Sequence, residues 1–364
     1  MLKKKYILLY PVSLIYGVVT GIRNFLYNTG LLKGYEFGKP VICVGNITVG
    51  GTGKTPHCEY LIGLLKQNYK VALLSRGYKR KTRGFLIASP EMNPSDVGDE
   101  PLQICRKYPD IIVAVDSNRV RGAKTIFRLN PETEVIILDD GFQHRRLIPG
   151  LTILLTDLNR LMIKDHMLPF GELRENVNNM YRSDIILITK SPEDISPIQR
   201  RIIVKEINKA PYQNLYFTSF KYGDPVHVFQ GCESAVSPLS KDMMEKTGIV
   251  LVTGIANPAP FKDYIGKSAA EVVHLSYPDH HRFTEKDLVK ICDAFLSLST
   301  REKQIITTEK DAVRIRDFTN IAEHVKSSFM YIPLEVFFLN EDKNEFDNLI
   351  LEYVRKNKRN NKIS

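Results

Sequence analysis

Short, predominantly apolar runs rich in β-branched residues recur through the first 210 or so residues, at 41–44, 71–75, 111–115, 135–138, 151–156 and 185–189. Such runs do not alternate with polar residues, so they read as strands buried on both faces. Stretches with helical spacing separate most of them. That alternation predicts a mostly parallel sheet with helices on both sides. Further on, two alternating stretches, 216–220 and 225–229, flank Lys221-Tyr222-Gly223-Asp224, a hairpin signal. Beyond it strand-like runs return at 249–253, 272–275 and 304–308. The chain therefore divides into an N-terminal helical segment (1–28), a larger α/β domain (29–212), a β-ribbon linker (213–232), a smaller C-terminal α/β domain (233–354) and a basic tail (355–364) expected to be disordered.

Residues 6–22 carry no charge and follow Lys3-Lys4-Lys5. A membrane-spanning helix wants about 20 apolar residues, and this segment is broken by Pro11, Ser13, Gly17, Thr20 and Gly21. No small-residue cleavage site follows it, as a secretory signal would need. A buried helix and a helix lying in the membrane interface both fit; the lysines and tyrosines favour the interfacial one. Composition adds a formal charge of +10, partly at the two ends. Attraction to an anionic membrane surface uses that charge. Nucleic acid is not expected as a partner, because no zinc-finger spacing and no basic helix with interleaved aromatics is present. The five cysteines are scattered, with no C-x-x-C, which fits a reducing compartment and excludes a disulfide scaffold.

The chemistry begins after the run at 41–44, where GNITVGGTGKTP opens a helix. Glycines let backbone N–H groups curl around anionic oxygens, and the helix start adds positive potential. Thr48, Val49, Gly50, Gly51, Thr52 and Gly53 form that loop. Lys54 is placed for the β- and γ-phosphates of ATP and Thr55 for Mg²⁺. In the common form of this loop a glycine stands where Thr48 is; Gly50 and Gly51 supply the flexibility here. A strand at 135–138 then ends in Asp139-Asp140, the pattern of a magnesium-holding strand end.

Several polar clusters remain: Ser75-Arg76-Gly77-Tyr78, Gly98-Asp99-Glu100-Pro101, Asp139-Asp140-Gly141-Phe142-Gln143-His144, Leu173-Arg174-Glu175, Thr253-Gly254-Ile255-Ala256-Asn257-Pro258, Asp279-His280-His281-Arg282-Phe283 and Thr308-Glu309-Lys310-Asp311. Together with the loop, in this order and spacing, they resemble the tetraacyldisaccharide 4′-kinase family. The resemblance implies a kinase of lipid A biosynthesis on the cytoplasmic face of the inner membrane. Its substrate would be an anionic acylated glucosamine disaccharide, phosphorylated at the 4′-hydroxyl by ATP, and the chain would act as a monomer. It also implies a P-loop domain joined by a two-stranded ribbon to a smaller domain, with Asp99 as the base and His280 assisting it. His281 is adjacent, and the motif alignment favours His280.

Charge on the transferring phosphoryl falls to Lys54 and Mg²⁺, with Arg76 and Arg174 as candidates toward the substrate. Asp139 and Asp140 are expected on the metal, with Glu175 as a third carboxylate. A different class of protein also carries a similar loop: membrane-cycling ATPase switches that phosphorylate no acceptor. Those place a second lysine where this chain has Val49, and they give no use to the Gly98 and Asp279 clusters.

Overall fold

The structure, a computed structural model, describes residues 9–229 and 245–360. Lys3-Lys4-Lys5, Cys232, the end of the expected linker and residues 361–364 lie outside the described residues. The chain forms two compact units. The first holds residues up to 92, 104–220 and from 336 onward; the second holds 93–103 and 221–335.

The first unit is built on a nine-stranded sheet. At its centre lie Val41–Gly45, Val135–Asp139 and Val71–Ser75, each five residues long and buried at every position. Ile112–Val115 and Leu86–Ile87 extend one side, Leu151–Asp157 and Ile185–Thr189 the other. All pairs from Ile112–Val115 to Ile185–Thr189 are parallel, and only the edge strand Leu86–Ile87 is antiparallel among these. Uniform burial is what the unbroken apolar runs require, since parallel strands are covered on both faces. The chain leaves Val41–Gly45 toward one side of the sheet and later returns to build the other side with Leu151–Asp157. The loop after Val41–Gly45 therefore sits where the strand order reverses, at the C-terminal strand ends where ligands of such sheets bind.

The hairpin expected around Lys221-Tyr222-Gly223-Asp224 does not form. Asn214–Tyr222 pairs in parallel with Ile185–Thr189, and its other neighbour is Leu334–Phe338. Val226–His227 pairs instead with Phe329–Ile332. The ribbon that carries the chain from one unit to the other is thus made of Asn214–Tyr222 and Leu334–Phe338. Local alternation gives strands, but a partner more than 100 residues away in sequence is set by tertiary packing.

The C-terminus also departs from expectation. Helix Asp342–Asn360 runs through the stretch read as a disordered tail. Phe346, Ile350 and Val354, at a four-residue spacing, are its buried stripe. Phe346 packs on Phe338 (4.6 Å between ring centroids), Tyr60 and Tyr216, and Tyr60 donates to Asp347 at 2.7 Å. These contacts place residues from 336 onward in the first unit, not in a domain ending at 354.

The second unit has a five-stranded sheet, in spatial order Val226–His227, Phe329–Ile332, Glu302–Thr308, Thr247–Thr253, Glu271–Ser276. Its last four strands run parallel. Thr247–Thr253 is buried along all seven residues, and Phe329, Ile291, Leu288 and Phe295 pack over it in one continuous core.

The N-terminal helix Tyr10–Asn28 belongs to the first unit. Its buried residues are polar, Ser13 and Asn24, and its apolar ones point out. Ser13 donates to the Met167 carbonyl (2.7 Å), Tyr16 to the Arg174 carbonyl (3.1 Å) and Asn24 to Glu175 (3.0 Å). Val12, Ile15, Val18, Val19, Ile22 and Phe25 are each at least half exposed. Among the described residues no helix is long and apolar enough to cross a membrane.

Candidate functional site

The first unit gathers the nucleotide residues. Gly53 is the N-cap of helix Lys54–Leu65, at φ 86°, a conformation glycine adopts without strain. A Cβ there would stand 2.4 Å from the Phe220 ring, so side-chain volume is excluded as well. His57, one turn into the helix, closes the same corner: its Nδ1 lies 2.7 Å from the Gly53 carbonyl and its Nε2 3.0 Å from the Thr218 hydroxyl. Burial pushes that imidazole down to about 4. Gly50 also has positive φ (105°), and the Thr52 N–H donates back to its carbonyl at 3.0 Å, which curls the loop. Thr48 is held by a bridge to Leu173, and the Val49 N–H donates to the Glu172 carbonyl. Asn46, which the sequence reading passed over, donates to the Thr52 hydroxyl (2.9 Å) and accepts from Lys54 (3.3 Å). Thr55 stands in the first helical turn, partly exposed beside Lys54.

The four expected metal residues are placed differently from one another. Asp140, at φ 49°, turns its carboxylate to Lys54 (3.5 Å) and Arg174 (3.1 Å). Burial works to raise that carboxyl, but Lys54 and then Arg174 hold it below the usual carboxylate range. Asp139 faces into the sheet, where it accepts from the Ser75 hydroxyl at 3.0 Å and lies against the Cys58 thiol. Glu175 is buried, with Arg182 at 2.6 Å and Asn24 on the same oxygen. Among the described residues no three carboxylate, histidine or cysteine side chains form a cluster that could hold a metal by themselves.

Arg174 is committed to Asp140, with Gln143 beside it at 3.4 Å. Arg76 is exposed at the end of Val71–Ser75. Around His144, burial and then the positive charges of Arg119, Arg23, Arg146 and Arg76 bring the imidazole down to about 4. This is a strongly electropositive neighbourhood, suited to an anionic ligand. Arg119, fully enclosed and bonded to the Asp116 carbonyl at 2.9 Å, is part of it; its only sequence signal is a charged residue at a helix start, which is unspecific.

The second unit holds the other polar cluster. Helix Asp99–Lys107 starts directly after Gly98, whose φ of 97° turns the chain out of the preceding short helix. Asp99 receives His280 Nδ1 at 2.8 Å and Arg314 Nη2 at 2.6 Å, both on Oδ2. His280 sits at φ 61°, with its N–H on the Gly254 carbonyl. Burial raises the Asp99 carboxyl, yet Arg314 and then His280 bring it below the ordinary value. His281 turns elsewhere: its Nε2 is 3.0 Å from Asp287 and its ring stacks on Tyr277. Arg314, absent from the sequence reading, is nearly enclosed and is fixed from behind by Asp311 at 2.9 Å. The available signal was its place four residues after Lys310, on the same helical face.

Known proteins of one family are similar to this chain along nearly its whole length. The family model for tetraacyldisaccharide-1-P 4′-kinase (LpxK) matches residues 5–355. A protein of Bacteroides thetaiotaomicron named tetraacyldisaccharide 4′-kinase is 46% identical over 361 residues, 98% of this chain and 95% of that one. One of the same name from Flavobacterium psychrophilum is 42% identical, covering 95% and 96% of the two chains. Among solved structures, LpxK from Aquifex aeolicus in complex with ATP superposes with a TM-score of 0.74 at 26% identity, over 96% of this chain and 99% of that one.

Proposed function

The chain belongs to the tetraacyldisaccharide-1-P 4′-kinase family, a phosphotransferase with an alcohol group as acceptor, and from that premise we propose which of its residues carry the reaction. The loop 48–53 and the start of helix Lys54–Leu65 bind the phosphates of ATP through backbone N–H groups. Lys54 exchanges its contact with Asp140 for the β- and γ-phosphates and neutralises charge on the transferring group. Thr55 and Asp140 would hold Mg²⁺. A hydroxyl, one charged carboxylate and the nucleotide's own phosphates are an adequate oxygen set, because magnesium keeps waters and needs few protein ligands. When bound, the ion would spread the negative charge of the phosphates. Asp139 and Glu175, closed by Ser75 and by Arg182, support this arrangement from behind.

The acceptor hydroxyl must lose a proton as its oxygen bonds the γ-phosphorus and the bond to the β–γ bridging oxygen breaks. Asp99 takes that proton. Its carboxyl is held below the usual range, so it is ionised at neutral pH. Oδ2 already carries two donors, which leaves Oδ1 for the hydroxyl. Arg76 and the positive field around His144 attract the anionic disaccharide.

The exposed apolar face of Tyr10–Asn28 supports residence on the cytoplasmic face of the inner membrane. A helix that docks by its polar side presents Ile15, Val18, Val19 and Ile22 to lipid. An acylated substrate gives this a reason, since extracting it from a bilayer costs about 0.8 kcal/mol per CH₂.

The observation that carries the reading is the charged Asp99 tied to His280 and Arg314, for which an ATPase switch has no use. The test is transfer of labelled γ-phosphate to tetraacyldisaccharide 1-phosphate in detergent micelles. Wild type should transfer; Asp99→Ala and Lys54→Ala should each lose roughly 10²–10⁴-fold. ATP hydrolysis indifferent to the lipid, with no transfer, would instead establish the switch.

A further inference from the structure

The proposed reaction leaves one buried imidazole of the nucleotide corner without a task. His57 lies one turn into helix Lys54–Leu65, with Nδ1 2.7 Å from the Gly53 carbonyl and Nε2 3.0 Å from the Thr218 hydroxyl. Thr218 is fully buried in strand Asn214–Tyr222, and the Phe220 ring of the same strand meets the imidazole edge-on, 5.7 Å between centroids. All of these residues belong to the first unit. A carbonyl oxygen only accepts, so Nδ1 carries the ring proton. Burial keeps the imidazole neutral by pushing it down to about 4, and the Gly53 carbonyl offsets this only in part. A neutral ring has one N–H, so Nε2 accepts from the Thr218 O–H. Among the described residues each ring nitrogen has this one polar partner.

The Gly53 carbonyl opens the helix, and its own helical donor, the His57 N–H, stands at 3.2 Å, farther away than Nδ1. Gly53 itself, at φ 86° and without a Cβ, offers little resistance to a turn of its peptide. In a planar trans peptide the carbonyl and the following N–H point in opposite directions. A carbonyl held back along the helix therefore holds the Lys54 N–H forward, out of the helix start, where an anion is received. We infer that His57 is a positioning residue of the phosphate site: its Nδ1–H, braced by Thr218, locks the Gly53–Lys54 peptide so that the Lys54 N–H is aimed at the phosphates before ATP arrives. This inference rests on the proposed role of loop 48–53 in binding those phosphates. Without the clamp, ATP binding itself has to order the peptide, so affinity falls while chemistry at saturating ATP is kept.

Kinetics and a spectrum test it on the full chain in detergent micelles. His57→Leu keeps the apolar bulk and removes both hydrogen bonds. It should raise the KM for ATP by about 3- to 10-fold, the scale of one neutral hydrogen bond, with kcat and the KM for the lipid acceptor near their wild-type values. His57→Asn carries an amide N–H on the atom bonded to Cγ, the place of Nδ1, and should restore most of the ATP affinity. In ¹⁵N-histidine spectra, assigned by the signal missing from His57→Asn, wild type should show a protonated Nδ1 and a bare Nε2 at neutral pH. Where His57→Leu does not fold, the nearly isosteric Thr218→Val removes only the brace and should raise the same KM. A protonated Nε2 in wild type overturns the inference, as does an unchanged KM for ATP or a loss confined to kcat. Binding of labelled ATP to Lys54→Ala separates the two levels. If that variant loses affinity while His57→Leu keeps it, only the clamp fails; if it binds ATP as wild type does, the loop assignment fails and this inference with it.

Discussion

Asp99 accepts both its donors on one oxygen, and Arg314 and then His280 outweigh the burial that would protonate it. The sign follows directly. A carboxyl held below its usual value stays ionised as pH falls, so the base function proposed for Asp99 would be retained on the acidic side and lost only through that lowered value. Arg314→Met removes the larger of the two compensating contacts and leaves burial opposed by His280 alone. The acid limb of the kcat/KM profile should then move to higher pH, with transfer near pH 5 suffering more than transfer near pH 8. A pH–rate series on the two proteins checks this. Affinity for ATP should hold, because the loop and Lys54 belong to the other unit. At this scale Lys54 was legible from the glycine-rich loop before it, and Asp99 and His280 only through the family resemblance. Arg314 was not, since its role depends on a carboxylate 215 residues away.

Among the elements, Tyr10–Asn28 is the most informative. Its sequence leaves a buried helix and an interfacial helix both open. The structure gives the direction: polar Ser13, Tyr16 and Asn24 dock on loops 166–175 while the apolar stripe faces out. Fully burying a Val or Ile side chain is worth about 1.5–3 kcal/mol, so several of them give substantial lipid affinity. Ile15→Glu with Val19→Glu should reduce binding to anionic lipid vesicles by at least about tenfold, since charges at these depths remove that gain. Helicity and transfer to detergent-dispersed acceptor should be retained, because both side chains are more than half exposed. Vesicle sedimentation and circular dichroism measure the two effects. Undiminished sedimentation would move the lipid contact elsewhere on the chain.

Over the whole molecule, the chain leaves the first unit twice and comes back each time. Residues 93–103 bring Asp99 into the second unit, and residues from 336 onward return a strand and a helix to the first. Stopping the chain after Glu335 should therefore damage the nucleotide unit, exposing Tyr60 and Tyr216 where Phe338 and Phe346 now pack. Hydrogen exchange should show lost protection in Asn214–Tyr222 and Ile185–Thr189, with Thr247–Thr253 and Glu302–Thr308 still protected. Protection lost first in the second unit would contradict this division.

Periodicity was enough to read a parallel α/β architecture, the glycine-rich run before Lys54 and Thr55 pointed to a phosphate loop, and the order of the polar motifs carried the resemblance to the family, which alone brought Asp99 and His280 forward as candidates. These depend on local backbone chemistry: unbroken apolar runs make doubly covered strands, and glycines before Lys-Thr at a helix start make an anion cradle. Tertiary structure alone decided that Leu334–Phe338 is the neighbour of Asn214–Tyr222, that Asp140 turns to Lys54 while Asp139 and Glu175 turn inward, and that Lys310 and Arg314 frame the dyad. Nearly all of these are pairings between residues distant in the chain, and hydrogen-bond and charge complementarity act on distance in space, which local pattern does not encode.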